Sequence, residues 1–513
     1  MPLRKKKLPL PVVDAAIGMA LSYYLYPVFA AAPYGYFLLA GLLLLLMAAI
    51  CFFRVMRFPI IWGKIGKTPP AVIKVALLAA SAAVGFSLGI ASRRAVSGPA
   101  AFGIEAGKLA SVSGILVEDP RTLQGGSGLG TLELRECGSS DGLRAGARGR
   151  LALFFPPESI MSLKEFGRGC LIFSEGRLRL SGAGPVFTAV SVHVTKPAPP
   201  IEQFRTRLRL TLLGAFRDRQ GRFTRSFEGG PRWGALASAL LLGVRDDLDV
   251  DLSAGFRNSG CSHILALSGM HLAIISAILA FLLRRPLGIR WASLVGALFI
   301  LFYVFVAGSQ PSLVRAAIMY ILGTIAIWGF LNTEPLPLLC LAFILQILFQ
   351  PETGVSVSFI LSYLALFGIL TLGTSLHSIF RGRLPEILSG GISASLGAFL
   401  ATAPVVALYF GSLKPIGIIA GLLLAPVSSL FMILALAALF FGFFPLPFWD
   451  ILDFALFWLY RFIDLLVSLA GRVPGLNAAG PVPVLILSLV MWAGVISLQR
   501  LDFRKRSEIA SFD

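Results

Sequence analysis

From residue 259 to residue 499 one apolar run follows another with only short polar breaks, and three more stand at about 9–32, 36–53 and 70–91. About twenty consecutive apolar residues suffice for a helix to cross the hydrocarbon core of a bilayer. A water-soluble domain could not hide so many: 56% of the 513 residues are hydrophobic and only 14% are charged, with a mean hydropathy of +0.82. Lipid-facing backbone must satisfy its own hydrogen bonds, so these runs read as helices. The chain reads as a polytopic α-helical membrane protein.

The N-terminal MPLRKKK, an apolar run and Ala30-Ala31-Ala32 also fit a secretory signal. The run is long for a signal core and a second span follows at once, which favours an uncleaved first helix. Either reading brings the chain out before residue 36.

The net charge of +19 has a topological explanation before a nucleic-acid one. Basic residues gather in cytoplasmic loops, and here they cluster at Arg4–Lys7, Arg54/Arg57/Lys64/Lys67, Arg284-Arg285/Arg290, Arg381/Arg383 and Arg500/Arg504/Lys505/Arg506. With the N-terminus inside, three spans put residues 92–258 outside. Spans near 262–283, 291–307, 313–331, 336–350, 354–373, 389–410, 415–443, 448–470 and 481–499 then bring every basic cluster to one face. The sequence predicts about twelve spans with both termini cytoplasmic.

Residues 92–198 break the pattern. They are rich in glycine and carry alternating runs at Ser111–Val117, Gly130–Arg135, Arg150–Phe155 and Thr188–Val194. Period-2 alternation between turn signals indicates a small extracytoplasmic β-domain inserted between spans; an OB-like barrel suits its length, and another all-β domain fits nearly as well. After the stiff linker Lys196–Pro200, residues 201–226 place Phe204, Leu208, Leu212 and Phe216 four apart among arginines. This predicts an amphipathic basic helix at the outer membrane surface, which either anchors to lipid headgroups or gives an anionic substrate a positive approach. The expected organisation is a three-span membrane region at 1–91, the β-domain at 92–198, the basic helix and a lead-in segment at 199–258, a transmembrane domain at 259–500 and a basic cytoplasmic tail at 501–513. Cys137 and Cys170 both fall in the exported domain, so a disulfide between them is expected.

No metal or cofactor site is expected. The only histidines, His193, His263, His271 and His377, do not form a ligand cluster, and no phosphate-binding GxxxxGK[ST] loop is present. Polar groups inside the membrane half carry more information. HILALSGMH (263–271) sets His263, Ser268, Gly269 and His271 at the start of an apolar run. AGSQPSLVRAAIM puts Gln310, Ser312 and Arg315 at the start of another, and Gly308–Pro311 can distort the backbone there. An arginine at the centre of a spanning helix costs about 2.5–3.5 kcal/mol on insertion scales, so Arg315 is expected to face a cavity or a water path, or else to snorkel to the interface. VSVSFILSYLALFG contributes Ser362 beside Ser356, Ser358 and Tyr363; helix–helix packing explains most of these small residues, as it does Gly391, Ser393, Ser395 and Gly397. The three polar segments are expected to share one cavity. His263 and His271 stay open between pore contact and helix–helix hydrogen bonding. A hydrolase built on Ser268 and His271 lacks a third group to complete it, so no catalytic residue is assigned.

At these residues the sequence resembles the ComEC competence family, which carries incoming single-stranded DNA across the bacterial inner membrane. ALLLGVRDDLDVDLSAGFRNSGCSHILALSGMHLAI, AGSQPSLVRAA, SFILSYLALFGI and ATAPVVALYFGSLKPIGIIAGLLLAPV correspond in order to shared segments of that family. The resemblance covers about 70–500. It implies an extracytoplasmic OB-like domain, a transmembrane channel domain at 259–500 and residence in the bacterial inner membrane. It also implies single-stranded DNA and membrane lipids as partners, a surface DNA receptor, a cytoplasmic helicase motor and a separate nuclease; homo-oligomerisation is left open. The family's glutamine in the third segment is Ile360 here, and a common acidic position after LLLG is Val244, with Asp246 and Asp247 close behind. Many members continue into a metallo-β-lactamase-like domain with an HxHxDH motif, whereas this sequence ends at Asp513. Strand degradation is therefore not expected of this polypeptide. A secondary transporter for a small anion or lipid-linked solute is the alternative that broken helices and an intramembrane arginine also suit.

Overall fold

The computed structural model describes residues 6–7, 11–30, 108–123, 126–181, 184–218, 233–332, 334–441 and 449–477, with a few positions at 81–88 and 483–490. The spans expected at 36–53, 70–91 and 481–499, and the basic clusters at 54–67 and 500–506, lie wholly or mostly outside these residues. The chain forms two compact units, Met1–Ala95 with Ile318–Tyr363, and Val96–Ala317 with Leu364–Asp513.

In the first unit the helix Pro11–Ala30 packs on the helix Pro335–Phe349. The Tyr23 and Tyr24 hydroxyls donate to the carbonyls of Pro351 (2.5 Å) and Gly354 (2.8 Å), closing the turn that follows. Phe343, Phe359 and Tyr363 stack beside it, and the Tyr363 hydroxyl meets Gln346 Oε1 at 2.8 Å.

The second unit contains a β-barrel. Its strands are β1 (Leu109–Leu116), β2 (Arg121–Thr122), β3 (Gly128–Ser139), β4 (Arg144–Gly146), β5 (Arg150–Phe155), β6 (Leu171–Ser181) and β7 (Gly184–Lys196). β1 lies between β3 and β6, β6 pairs with β7, β7 runs parallel to β5, and β5 returns to β3. The ring is compatible with the OB-like domain expected from the alternation. Leu151, Leu153 and Phe155 point inward while Arg150, Ala152 and Phe154 do not, which is the period-2 rule at work. At Gly176 the register between β6 and β7 slips by a residue. A side chain there would lie 2.1 Å from the Thr188 carbonyl, so the bend requires glycine. The helix Pro157–Phe166, which the alternating pattern did not announce, joins β5 to β6.

The expected Cys137–Cys170 disulfide is corrected: both are free, buried thiols. Cys137 sits opposite Val112 on one side of β1. Cys170 lies on the other side, its carbonyl accepting from the Leu116 amide at 3.0 Å. Val112 and Leu116 are separated by about 13 Å of strand, whereas a bridge needs Cα atoms about 4.4–6.8 Å apart. Burial pushes the thiols up to about 12 at Cys137 and about 11 at Cys170.

Among the described residues six helices are long and apolar enough to span a bilayer: Gly269–Ala307, Pro311–Trp328, Val357–Phe380, Glu386–Phe410, Ile416–Phe441 and Asp450–Gly471. This supports a multi-pass helical membrane protein, with fewer spans on view than the twelve expected. The first of the six is two spans. A straight helix of 39 residues would be about 58 Å long, yet the Ser312 hydroxyl just beyond its end bonds the Leu267 carbonyl just before its start at 2.6 Å. The chain therefore doubles back, and Gly288 (φ +73, ψ 165) is the one non-helical residue inside. Each leg is about 28 Å long, matching the hydrocarbon thickness. Arg284, Arg285 and Arg290 flank the reversal, as the two spans expected on either side of a basic loop require.

Small residues set the remaining close packing. A single π-helical turn, Ile369–Gly373, lies against Glu386–Phe410. A side chain on Gly368 would lie 2.2 Å from the Gly397 carbonyl. Gly397 thus has the packing role read for it in the sequence.

Candidate functional site

The helix Trp233–Leu242 is apolar except for buried Ser238 and stops at Gly243, whose φ of +68 disfavours any residue with a side chain. A Cβ here would also lie 2.7 Å from Leu267 Cδ1 and 3.2 Å from Gln310 Nε2. Three interrupted segments therefore meet at one point. The second is HILALSGMH itself. It forms one turn of helix at Ser262–Leu265, passes through extended Ala266 and Ser268, and begins the long hairpin at Gly269. The third is the tight turn at Gly308 (φ +109), after which the Gln310 carbonyl accepts from Leu313 and Val314 and opens the helix Pro311–Trp328.

The hydrogen bonds explain the polar residues one by one. The Ser268 amide donates to His271 Nδ1 at 3.2 Å, half of a capping box with histidine in the usual glutamate position. Ser312 Oγ donates to Leu267 O at 2.6 Å, satisfying a carbonyl that the helix break leaves without an intrahelical donor. Arg315 is 8% exposed, so it is buried rather than snorkelled. Its Nη2 lies 2.8 Å from where a Cβ on Gly269 would be, and only glycine allows so close an approach. Ser268, Gly269, His271, Gln310, Ser312 and Arg315 thus gather at one junction. His263 is exposed on the preceding helical turn. Ser362 belongs to the other compact unit.

Two features escaped the sequence reading. Lys414, in the loop between Glu386–Phe410 and Ile416–Phe441, lays its side chain over Gly260 and Gly475, whose Cβ positions would be 2.8 and 2.7 Å away. The larger is a set of ion pairs on the helix Pro200–Asp218, the amphipathic helix expected over 201–226, in which Leu208, Leu212 and Phe216 pack on the core. Arg205 is fully buried while Ile201 and Phe204 are 64% and 58% exposed, so two of its arginines face inward. Arg205 forms a forked pair with Asp119 (Nη2 to Oδ1 2.6 Å, Nη2 to Oδ2 2.7 Å) and bonds Glu202 at 2.9 Å. Arg209 also pairs with Asp119 and donates to the Leu242 carbonyl at 3.3 Å. Arg168 reaches Glu202 at 2.9 Å. Beside this cluster Lys164 binds Asp246 at 2.6 Å, and the Thr122 amide donates to the same carboxylate at 3.2 Å. Barrel residues 119, 122, 164 and 168 are therefore tied to the helix and to the acidic segment after Gly243. Burial pushes the Glu202 carboxyl up, but hydrogen bonds and charge from Arg168 and Arg205 outweigh it and hold the group below its ordinary value. The spacing of Glu202, Arg205 and Arg209 puts all three on one helix face. The acid of both arginines, Asp119, lies 86 and 90 residues earlier in sequence and left no local signal.

Residues 240–501, about half of the chain, match the Competence protein family. The chain is 27% identical over 294 residues to ComE operon protein 3 of Bacillus subtilis, covering 53% of this chain and 34% of that protein. It is 31% identical over 210 residues to an uncharacterized protein of Aquifex aeolicus, covering 40% of this chain and 48% of that one. The matched segments thus span between a third and a half of these relatives' lengths. The family match begins just before Gly243 and takes in the whole polar junction, and on that ground the chain belongs to the competence protein family, of the ComEC type.

Proposed function

We propose that the chain is an inner-membrane channel through which single-stranded DNA enters the cell during natural transformation, with the junction at Gly243, Ser268–His271 and Gln310–Arg315 as part of its path. The observation that carries this reading is that the family match contains the junction, where three interrupted segments bring a buried arginine and two helix starts together. A polyanion crossing a bilayer needs positive potential along its way. It also needs contacts weak enough to release each phosphate in turn, which favours a few donors over a deep basic trap. One guanidinium with helix dipoles and an amide side chain is a sparse lining of that kind.

Charge supports one orientation in the membrane. The hairpin reversal carries Arg284, Arg285 and Arg290, so the positive-inside rule puts it in the cytoplasm and the junction about 28 Å away at the outer face. The barrel's docking helix reaches that outer end, since Arg205 Nη1 lies 3.5 Å from the Val306 carbonyl. On this reading the barrel stands at the mouth of the path. A surface receptor delivers the strand, and a cytoplasmic motor pulls it through.

Deleting the gene in a naturally competent host tests the reading. Transformation by external DNA is expected to disappear while DNA still binds at the cell surface. Unchanged transformation would refute it.

A further inference from the structure

Where the barrel meets the segment after Gly243, basic side chains from separate stretches of the chain come together, and most of them are matched by acids. Arg168 meets Glu202, Arg205 and Arg209 share Asp119, and Lys164 meets Asp246. Two arginines stand apart from this matching. Arg245 has no hydrogen-bonded or ionic partner among the described residues. Arg121 meets Glu118 on its own loop at 3.3 Å, with the two side chains 68% and 56% exposed, and such a surface pair is worth only about 0–1 kcal/mol. The two arginines flank a single contact. The Thr122 amide donates to Asp246 Oδ1 at 3.2 Å, so Arg121 and Arg245 each stand one residue from the point where the two stretches meet. Partial burial, and then the charge of Arg121, hold the Arg245 guanidinium below its ordinary value. Bringing like charges together is unfavourable, and Asp119 and Asp246, the acids at this seam, are already engaged. Arg245 is also two residues from Gly243, whose Cβ position lies 3.2 Å from Gln310 Nε2. The pair therefore stands beside the polar junction.

We infer that Arg121 and Arg245 together bind one phosphodiester of a single-stranded nucleic acid as it passes from the barrel to the junction. This rests on the channel reading and adds to it the group recognised at the mouth of the path. A guanidinium presents parallel N–H groups to phosphate oxygens, and one from each side suits the two free oxygens of a phosphodiester. The arginines that have acids fasten the barrel to the membrane core, and the two that lack them are left for the strand. Both reach water, so the grip is weak enough for each phosphate to be released in turn. Contacts to phosphate carry no sequence information, so binding is independent of sequence. Membrane phospholipids carry the same linkage, and the experiment must separate the two sources.

The test uses the full chain in phosphatidylcholine nanodiscs and a fluorescent oligothymidylate, with affinity measured between about 50 and 200 mM salt. Arg121→Gln and Arg245→Gln should each weaken binding roughly threefold to tenfold, the range of one net hydrogen bond. The double variant should lower the slope of log affinity against log salt by about 0.7, the value for one single-strand phosphate. Arg144→Gln is the control. Arg144 is exposed and pairs beside Gly138 of β3, whereas Thr122 pairs beside Gly128, about 30 Å of strand away; its loss should change neither quantity. A photo-crosslinking amino acid replacing Glu118 then identifies what lies at Arg121. Mass analysis should find a nucleotide adduct, diminished in Arg245→Gln. Neither arginine carries a buried contact, so the variants are expected to fold, and the crosslink in the otherwise unaltered chain does not depend on them. An adduct with lipid alone overturns the strand as the ligand. A slope lowered by about 1.4 overturns the shared phosphate, since it would mean two separate contacts. Binding that is unchanged in the double variant, or that falls as far in Arg144→Gln, overturns the site and leaves the channel reading intact. That reading fails only by the deletion experiment above.

Discussion

The contact between barrel and membrane core yields a quantitative prediction. Arg205 is fully buried and its forked partner Asp119 is 26% exposed. Asp119→Asn would leave the guanidinium with Glu202 alone and remove the acid shared with Arg209. Removing one partner of a fully buried pair costs about 3–5 kcal/mol because the other charge stays in low dielectric. Asp119 keeps some contact with water and Glu202 remains, so about 2–3 kcal/mol is the expected cost here. That is roughly a thirtyfold to 150-fold shift toward the undocked helix. Hydrogen exchange of Pro200–Asp218 in detergent-solubilised full chain would report it as faster opening of that helix. The companion experiment is decisive. Arg205→Met removes the charge while keeping a long apolar stem, and combining it with Asp119→Leu removes both members of the Arg205–Asp119 pair, with Arg209 losing its acid equally in the single and double Asp119 variants. The double variant should be more stable than either single variant predicts, with a coupling of at least about 1 kcal/mol. Additivity within about 0.5 kcal/mol would refute the reasoning, since it would mean that the two groups do not sense each other.

Three further outcomes follow from the same structure. Lowering the pH should loosen the docking helix. The Glu202 carboxyl titrates below its ordinary value when folded, so its stabilisation is complete above the unfolded value near about pH 4.3 and is lost as pH falls through the folded one; Glu202→Gln should flatten this acid limb, and an unchanged limb would exclude the group. Cys137 and Cys170, with thiols pushed up to about 12 and about 11, should resist maleimide at pH 8 in the native protein and both react on unfolding. Reductant should not alter the domain's mobility. Gly243→Ala should destabilise the junction by about 1–3 kcal/mol through strain at positive φ and overlap with Leu267, read as a lower melting midpoint; a midpoint equal to wild type would show that the turn can rearrange freely.

What the sequence revealed depended on how local each signal was. Apolar runs and alternation are properties of neighbouring residues, so most of the helices within 262–470 and the strands at 111–117, 130–135, 150–155 and 188–194 were readable. The helix break at HILALSGMH and its association with Gln310–Arg315 were readable because polar groups in an apolar run demand partners. Their partners proved to be mainly backbone atoms, such as the Leu267 carbonyl for Ser312 and the Ser268 amide for His271. A sequence does not display those acceptors and donors. Two arginines of 201–226, Arg205 and Arg209, were not placed by the sequence for the opposite reason. Positive charge beside a membrane suggests lipid or substrate, and Asp119, which neutralises Arg205 and Arg209, is distant in sequence. The cysteine pair shows the limit of a compartment argument, because sharing an oxidising side of the membrane does not place two residues on adjacent strands.

On the channel reading proposed above, the bond between Ser312 and the Leu267 carbonyl bears on the electrical insulation of the membrane. A conduit wide enough for a nucleic acid strand would, if left open, let protons and small ions run down the membrane potential, which is worth about 2.3 kcal/mol per elementary charge at 100 mV. Sealing such a conduit with an apolar plug alone would leave nothing to release the plug when the strand arrives. Here the ends of a membrane-crossing hairpin and of the next helix are fastened by a hydroxyl–carbonyl bond of 2.6 Å, typically worth only about 1 kcal/mol net. A fastening of that strength holds the two ends together at rest and can open and re-form at little cost.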